Sequence, residues 1–310
     1  MVGYRQTTQP FPFTCRNQTM SDTSSSSLSD LPDGFKIVHD RKFHNSNKYM
    51  LPNDEREVSR LDLQHYIMRH LVHGNFNAPV EEDLERGINV LDMGCGSGRW
   101  VLDMAVDYPN STFTGIDMAE VFPVDPDDIP PNARFMIANT LKGLPFPDET
   151  FDYVFQRFMV LSFTPQDWKF AVNEIVRLTK PGGWVELFEL ACTTERPPVD
   201  ITVWQGFMTV CAAKGIDHTE VWRLKSHLMA HNFNNVELDY ISCPLGWSGR
   251  VGEMHVNNLH LAYLAMGPVV APVLGIDQDE WSTIVQRRMD GFKERKSWQK
   301  APYVYGKKPV

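Results

Sequence analysis

The run Val90-Leu91-Asp92-Met93-Gly94-Cys95-Gly96-Ser97-Gly98 constrains this chain more than any other stretch of its sequence. A short, mostly apolar strand runs into three glycines at alternate positions, and Arg99 opens a segment with helical spacing. Glycine lets the backbone adopt turns that side chains resist, and without a Cβ a ligand can lie against the main chain. A tight turn that binds nothing would need the same glycines, so the turn acquires meaning only from what surrounds it.

The surroundings repeat the pattern. Strands are expected over 88–91, 112–116, 134–137, 151–155 and 184–190, with helices over 99–108 and 168–179 between them. Such alternation predicts an α/β fold with a Rossmann-like, doubly wound and mostly parallel sheet. Ahead of it, Val58, Leu61, Leu63, Tyr66, Ile67, Leu71 and Val72 recur at helical intervals, with Pro52 and Asn53 as start signals. Beyond Pro197 the spacing predicts helices over 200–214 and 218–230, a strand over 236–241, two further helical stretches and a last strand over 303–305. Gly267, Pro268, Pro272 and Gly275 interrupt the apolar stretch 259–276, which reads as a buried helix followed by loop, too broken to span a bilayer.

Four regions follow. Residues 1–34, rich in Ser, Thr, Gln and Pro, cannot bury enough apolar area to offset chain entropy and are expected to be a disordered tail. Residues 35–86 should form an N-terminal helical lid, 87–195 the binding core, and 196–310 a helical C-terminal insertion with the last strands.

Composition narrows the function classes. With 310 residues, 42% of them hydrophobic, the chain can bury one large core or a core with an appended lobe. A net charge of −9 argues against a broad grip on nucleic acid, which depends on lysine and arginine neutralising phosphates. The five cysteines show no spacing suited to a disulfide framework or to zinc, so a reducing compartment and no structural metal are expected. The first thirty residues carry no apolar leader, which points to no membrane and a cytoplasmic protein, or a nuclear one if its role is regulatory. The sequons at Asn17 and Asn110 are then chance matches.

Two further features bear on the ligand. Asp117 closes the second expected strand about 20 residues past the glycine turn, where a carboxylate can accept both hydroxyls of a ribose, or simply cap a helix. The third glycine of the dinucleotide fingerprint is missing and Asp92 precedes the turn, which disfavours a pyrophosphate ligand and hence a nicotinamide-dependent oxidoreductase.

In combination with Leu144-Pro145-Phe146-Pro147-Asp148, Phe151-Asp152-Tyr153-Val154 and Pro181-Gly182-Gly183, the chain resembles the class I S-adenosylmethionine-dependent methyltransferases over roughly residues 87–189. It resembles more narrowly the fungal LaeA-like methyltransferases of secondary metabolism. That likeness runs through Tyr49-Met50-Leu51-Pro52-Asn53-Asp54-Glu55, Arg60-Leu61-Asp62, Gln64-His65, Gly98-Arg99-Trp100 and Gly182-Gly183-Trp184-Val185-Glu186.

The resemblance implies S-adenosyl-L-methionine as cofactor. Gly94, Gly96 and Gly98 would line its methionine and ribose part, with Asp92 near the methionine end, Asp117 on the ribose and Met118 on the adenine. Where the family often carries an acidic residue after the third strand, this chain has Asn139 and Thr140; the asparagine carbonyl can accept from the adenine amine. Gln156 and Arg157 should face the cleft beyond the strand ends, with a surface ion pair as the alternative for Arg157. Tyr49 and residues 51–53 would fold over the cofactor, or merely pack at the helix entry.

In-line methyl transfer needs alignment and exclusion of water more than a base, so no catalytic residue is assigned. Glu189, His227, His231, His255 and His260 are candidates for a base or orienting group, each with a structural role as alternative. The aromatic and Met content of the C-terminal part suits either an apolar substrate pocket or core packing. The expected function is methyl transfer to a small-molecule, secondary-metabolite acceptor; the alternative is a LaeA-like regulator acting through protein partners.

Overall fold

The computed structural model describes residues 34–45 and 49–310. The expected disordered tail, apart from Gly34, lies outside the described residues. The chain runs through β1 (Phe35–Val38), β2 (Arg41–His44), α1 (Glu55–Val72), α2 (Glu81–Arg86), β3 (Asn89–Met93), α3 (Arg99–Asp107), β4 (Thr112–Asp117), β5 (Ala133–Ile137) and β6 (Phe151–Arg157). It continues through α4 (Pro165–Leu178), β7 (Thr179–Phe188), β8 (Thr194–Glu195), α5 (Thr202–Ala213), α6 (Leu224–Ala230), β9 (Asn234–Pro244), α7 (Arg250–Leu274), α8 (Gln278–Arg295) and β10 (Trp298–Lys307).

Strands β5, β4, β3, β6 and β7 lie side by side in that order and run parallel. β10 pairs antiparallel with β7 and, along its other edge, with β9, while the short β8 meets the start of β10. This is the expected doubly wound, mostly parallel sheet, closed on one side by an antiparallel pair. The order reverses between β4–β3 and β6, and in such sheets the crevice beyond the strand ends at that reversal is where ligands bind.

Alternation within the strands sorts the two faces. In parallel register Asp92 stands beside Phe155 and Phe155 beside Glu186, so these residues share one face. There the Trp100 indole of α3 stacks on Phe155 with ring centres 4.3 Å apart and planes 10° apart. Leu91, Met93, Val154, Val185 and Leu187 fill the opposite face against Trp168, Val172 and Ile175 of α4. Thr164 and Asp167 form a reciprocal capping box that starts α4.

The N-terminal region holds more than helix. β1 and β2 form a hairpin, and Arg41 of β2 clasps Asp54 through Nε at 2.6 Å and Nη2 at 3.0 Å. Asp54 in turn caps α1 by accepting from the amide of Glu57. Nothing in the alternation of the hairpin marks it, because its strands are four residues each and mostly half-buried.

Three C-terminal expectations are corrected. The stretch read as helix then loop belongs to one 25-residue helix, α7, with Pro268 and Pro272 inside it. Each proline removes one intrahelical hydrogen bond, yet Ala265, Met266, Val270 and Ala271 remain buried in the C-terminal core. Gly267 is required by packing, since a Cβ there would come within 2.8 Å of the Trp281 ring of α8. The region 218–230 is a 3-10 segment (His218–Trp222) followed by α6 rather than one helix. The last strand spans ten residues, not three.

Candidate functional site

A cavity of about 470 Å³ opens at the carboxyl ends of the parallel strands. The glycine turn forms part of its wall. Gly94, Gly96 and Gly98 have φ values of +76°, +53° and +73°, the left-handed region that L side chains avoid. A Cβ on Gly98 would also lie 2.6 Å from the Phe135 ring, which stacks on Phe122. Gly98 is therefore needed to seat the turn against β5, while Gly94 and Gly96 reach the cavity.

Asp117 lines the cavity at the end of β4. Its Oδ2 accepts from the Gly96 amide and its Oδ1 from the Ala119 amide, both at 3.0 Å. These bonds fix the carboxylate beside the glycine turn, where it lines the cavity as an acceptor suited to ribose hydroxyls. Met118, Asn139, Thr140 and Tyr49 line the same space.

Asn139 Oδ1 accepts from the Leu141 amide at 2.9 Å, capping a short 3-10 turn. An amide oxygen has two lone pairs, so this one can still accept a second bond, and the side-chain NH₂ adds a donor beside it.

Asp92, Gly98 and Gln156 are not part of the cavity wall. Asp92 and Gln156 lie just beneath it, fully buried on opposite faces of the sheet, with no side-chain hydrogen bond for either. Burial pushes the Asp92 carboxyl up to about 7 against the opposing pull of Arg157.

Side chains of α1 and α7 that were not among the expected binding residues build a further wall. Arg60 grips both oxygens of Glu57 with Nε at 2.9 Å and Nη2 at 2.6 Å. Its Nη1 donates to Gln64 Oε1 at 2.8 Å and to Asn258 Oδ1 of α7 at 3.2 Å. Tyr49 packs against this group, where burial and the Glu57 charge raise its hydroxyl pKa. One turn on, His65 bridges Arg157 and Asp103. Arg157 is thus held inside the wall and is no surface ion pair. The spacing of Glu57, Arg60 and Gln64 by three and four along α1 was a usable signal; Asn258, 198 positions away from Arg60, gave none.

The remaining wall is apolar. Leu161, Ala191, Cys192, Phe207, Leu259 and Met266 border the cavity, so part of the C-terminal aromatic and Met content faces a pocket and the rest is core. Among the candidate bases, Glu189 is buried and spent on the amides of Met159 and Val160. His227 pairs with Glu220 and His255 with Gln299. None of the five candidates lines the cavity. Among the described residues no group of His, Cys, Asp and Glu could hold a metal ion, and no single helix is long and apolar enough to cross a membrane.

Residues 90–183 match a family described as a methyltransferase domain. Methyltransferase pytC of Aspergillus terreus is 31% identical over 173 residues, 54% of this chain and 51% of that protein. Secondary metabolism regulator LAE1 of Cochliobolus heterostrophus is 30% identical over 208 residues, 63% of this chain and 66% of that protein. Secondary metabolism regulator laeA of Aspergillus flavus is 27% identical over 244 residues, 74% and 63%. The chain spans about half the length of pytC.

Proposed function

Because residues 90–183 are a class I S-adenosylmethionine-dependent methyltransferase domain in a chain resembling LaeA-like proteins, we propose that the protein methylates a small-molecule acceptor, a secondary metabolite. The observation that carries this reading is a single cavity uniting the glycine turn and Asp117 with an apolar chamber walled by α5 and α7. One part suits the cofactor and the other a mostly apolar acceptor.

The residues present fit the cofactor. Asp117 is a fixed acceptor on the cavity wall for the ribose, Gly94 and Gly96 leave the backbone open for close approach, and Met118, Asn139 and Thr140 would flank the base. When bound, S-adenosylmethionine supplies a methyl group on a sulfonium, open to in-line displacement. The chain's own part is to align the acceptor and exclude water, which can provide much of the acceleration without a base. α1 contributes to both: Leu61 comes to within 3.4 Å of where a Gly96 Cβ would sit, so the helix covers the turn.

Calorimetric titration with S-adenosylmethionine and S-adenosylhomocysteine tests the reading, with Asp117→Ala as control. Saturable binding by the wild type, weakened at least tenfold in the variant, is the expected result. No binding by folded wild-type protein would sink it.

A second reading follows from the relatives described as secondary metabolism regulators: a protein that works through protein partners. Partner capture that survives Asp117→Ala, with no methyl transfer to any small molecule, would favour it over the first.

A further inference from the structure

We propose that Gln64 and Asn258 form a recognition subsite for an uncharged carbonyl oxygen of the methyl acceptor, an inference that rests on the methyltransferase reading above. Both side chains line the cavity, and both residues are more than nine-tenths buried, at 7% and 3% exposure.

Their orientation follows from Arg60. A guanidinium has only donors, so each amide must turn its oxygen toward it, as the distances of 2.8 Å and 3.2 Å show. The two NH₂ groups therefore point away from Arg60. Among the described residues no protein acceptor meets either of them. Neither nitrogen is among the fully enclosed, unpartnered atoms, and both residues line the cavity, so the two donors open on it. A ligand that displaces water there without offering an acceptor would leave each donor unsatisfied, at about 1–3 kcal/mol apiece, so the pair selects for a ligand with an oxygen at that point.

The chemistry of the pair selects the ligand. Glu57 cancels the Arg60 charge through both of its oxygens, so the subsite offers amide dipoles and no net charge. An uncharged oxygen acceptor such as a ketone, ester, lactone or amide matches that better than a carboxylate or phosphate, which would lose hydration without gaining a counter-charge. Asn258 shares α7 with the apolar wall residues Leu259, Ala262 and Met266. The ligand is thus an apolar molecule that carries a carbonyl.

Acetophenone and ethylbenzene, nearly equal in shape and differing in the carbonyl, serve as probes in ligand-observed NMR titrations of the full chain saturated with S-adenosylhomocysteine. Acetophenone is expected to bind about tenfold more tightly, the worth of two neutral hydrogen bonds. In Gln64→Glu and Asn258→Asp an oxygen still faces Arg60 while the donor is lost, so each variant should erase most of that preference with S-adenosylhomocysteine affinity unchanged. Equal binding of both probes to the wild type, or a preference that survives in both variants, overturns the proposal. A tenfold loss of S-adenosylhomocysteine affinity in the variants also overturns it, by assigning the donors to the cofactor, yet leaves the methyltransferase reading intact. Failure of the wild type to bind S-adenosylhomocysteine removes both. Thermal unfolding checks each variant; if one does not fold, the other and the wild-type probe pair still decide.

Discussion

Arg157 Nη2 stands 3.1 Å from His65 Nδ1, and on the far side of the ring His65 Nε2 stands 3.0 Å from Asp103 Oδ2. Arginine can only donate, so Nδ1 accepts and the ring proton sits on Nε2. Burial, reinforced by the Arg157 charge, pushes the His65 pKa down to about 4. Nitrogen-15 NMR is expected to show the neutral Nε2–H form throughout the range near 6.5 where an ordinary histidine titrates. The unfolded chain takes up a proton there and the folded chain does not, so His65 makes stability fall as the pH drops from about 6.5 to about 4. His255, buried and likewise pushed down to about 4, adds a similar loss to both proteins, so across that window the wild type should lose on the order of 3 kcal/mol more than His65→Gln in denaturation.

Asp92 acts in the opposite sense. Its folded pKa, pushed up to about 7, lies above that of the unfolded chain, so the folded state holds a proton that the unfolded state has released. Stability contributed by this group is full at low pH and declines as the pH rises from about 4 to about 7. Asp92→Asn removes this part of the decline, leaving that of Glu189, and at pH values above that window the variant should be more stable than the wild type by about 4 kcal/mol. A variant no more stable there would mean that Asp92 stays charged against Arg157.

Gly98 and Gly275 separate strain from collision. Both are left-handed, with φ of +73° and +70°, but a Cβ at Gly275 meets nothing within 4 Å whereas one at Gly98 lies 2.6 Å from Phe135. Gly275→Ala should cost only backbone strain, about 1–2 kcal/mol. Gly98→Ala should cost more than that, roughly 2–4 kcal/mol, because the Phe135–Phe122 stack must also move. Chemical denaturation of the pair checks the difference; equal losses would refute the packing argument.

Glu186 is fully buried and accepts four bonds, from the amides of Asn77 and Ala78, the Asn77 side chain and the Tyr153 hydroxyl. It pins the segment between α1 and α2 to the middle of the sheet. Glu186→Gln would turn an NH₂ toward donors at one of its two positions, and a loss of at least about 3 kcal/mol in unfolding free energy is expected. A change below about 1 kcal/mol would show that the segment does not depend on this anchor.

What the sequence disclosed follows from the range of its signals. The parallel core was legible because strand and helix periodicities are local and the glycine turn is a local demand on φ; Asp117 followed from its distance to that turn. α7 was misread because proline is a local signal for a break, and its burial against α5 and α8 outweighs the lost hydrogen bonds. The β1–β2 hairpin escaped because four-residue, half-buried strands are too short to show an alternation. Asn258 reaches the wall only through tertiary folding, and the use of Asn139 as a cap depends on an amide two residues later.

β10 comes last among the described strands, yet it lies inside the sheet, between β7 and β9. During synthesis β7 therefore waits with an open edge, and β9 has no strand partner, until residues 298–307 leave the ribosome. The whole chamber wall carried by α5 and α7 is made before the strand that draws it onto the core. A nascent chain stalled ahead of Trp298 would hold a finished glycine turn and an adhesive sheet edge together, and would depend on a chaperone for as long as the stall lasts.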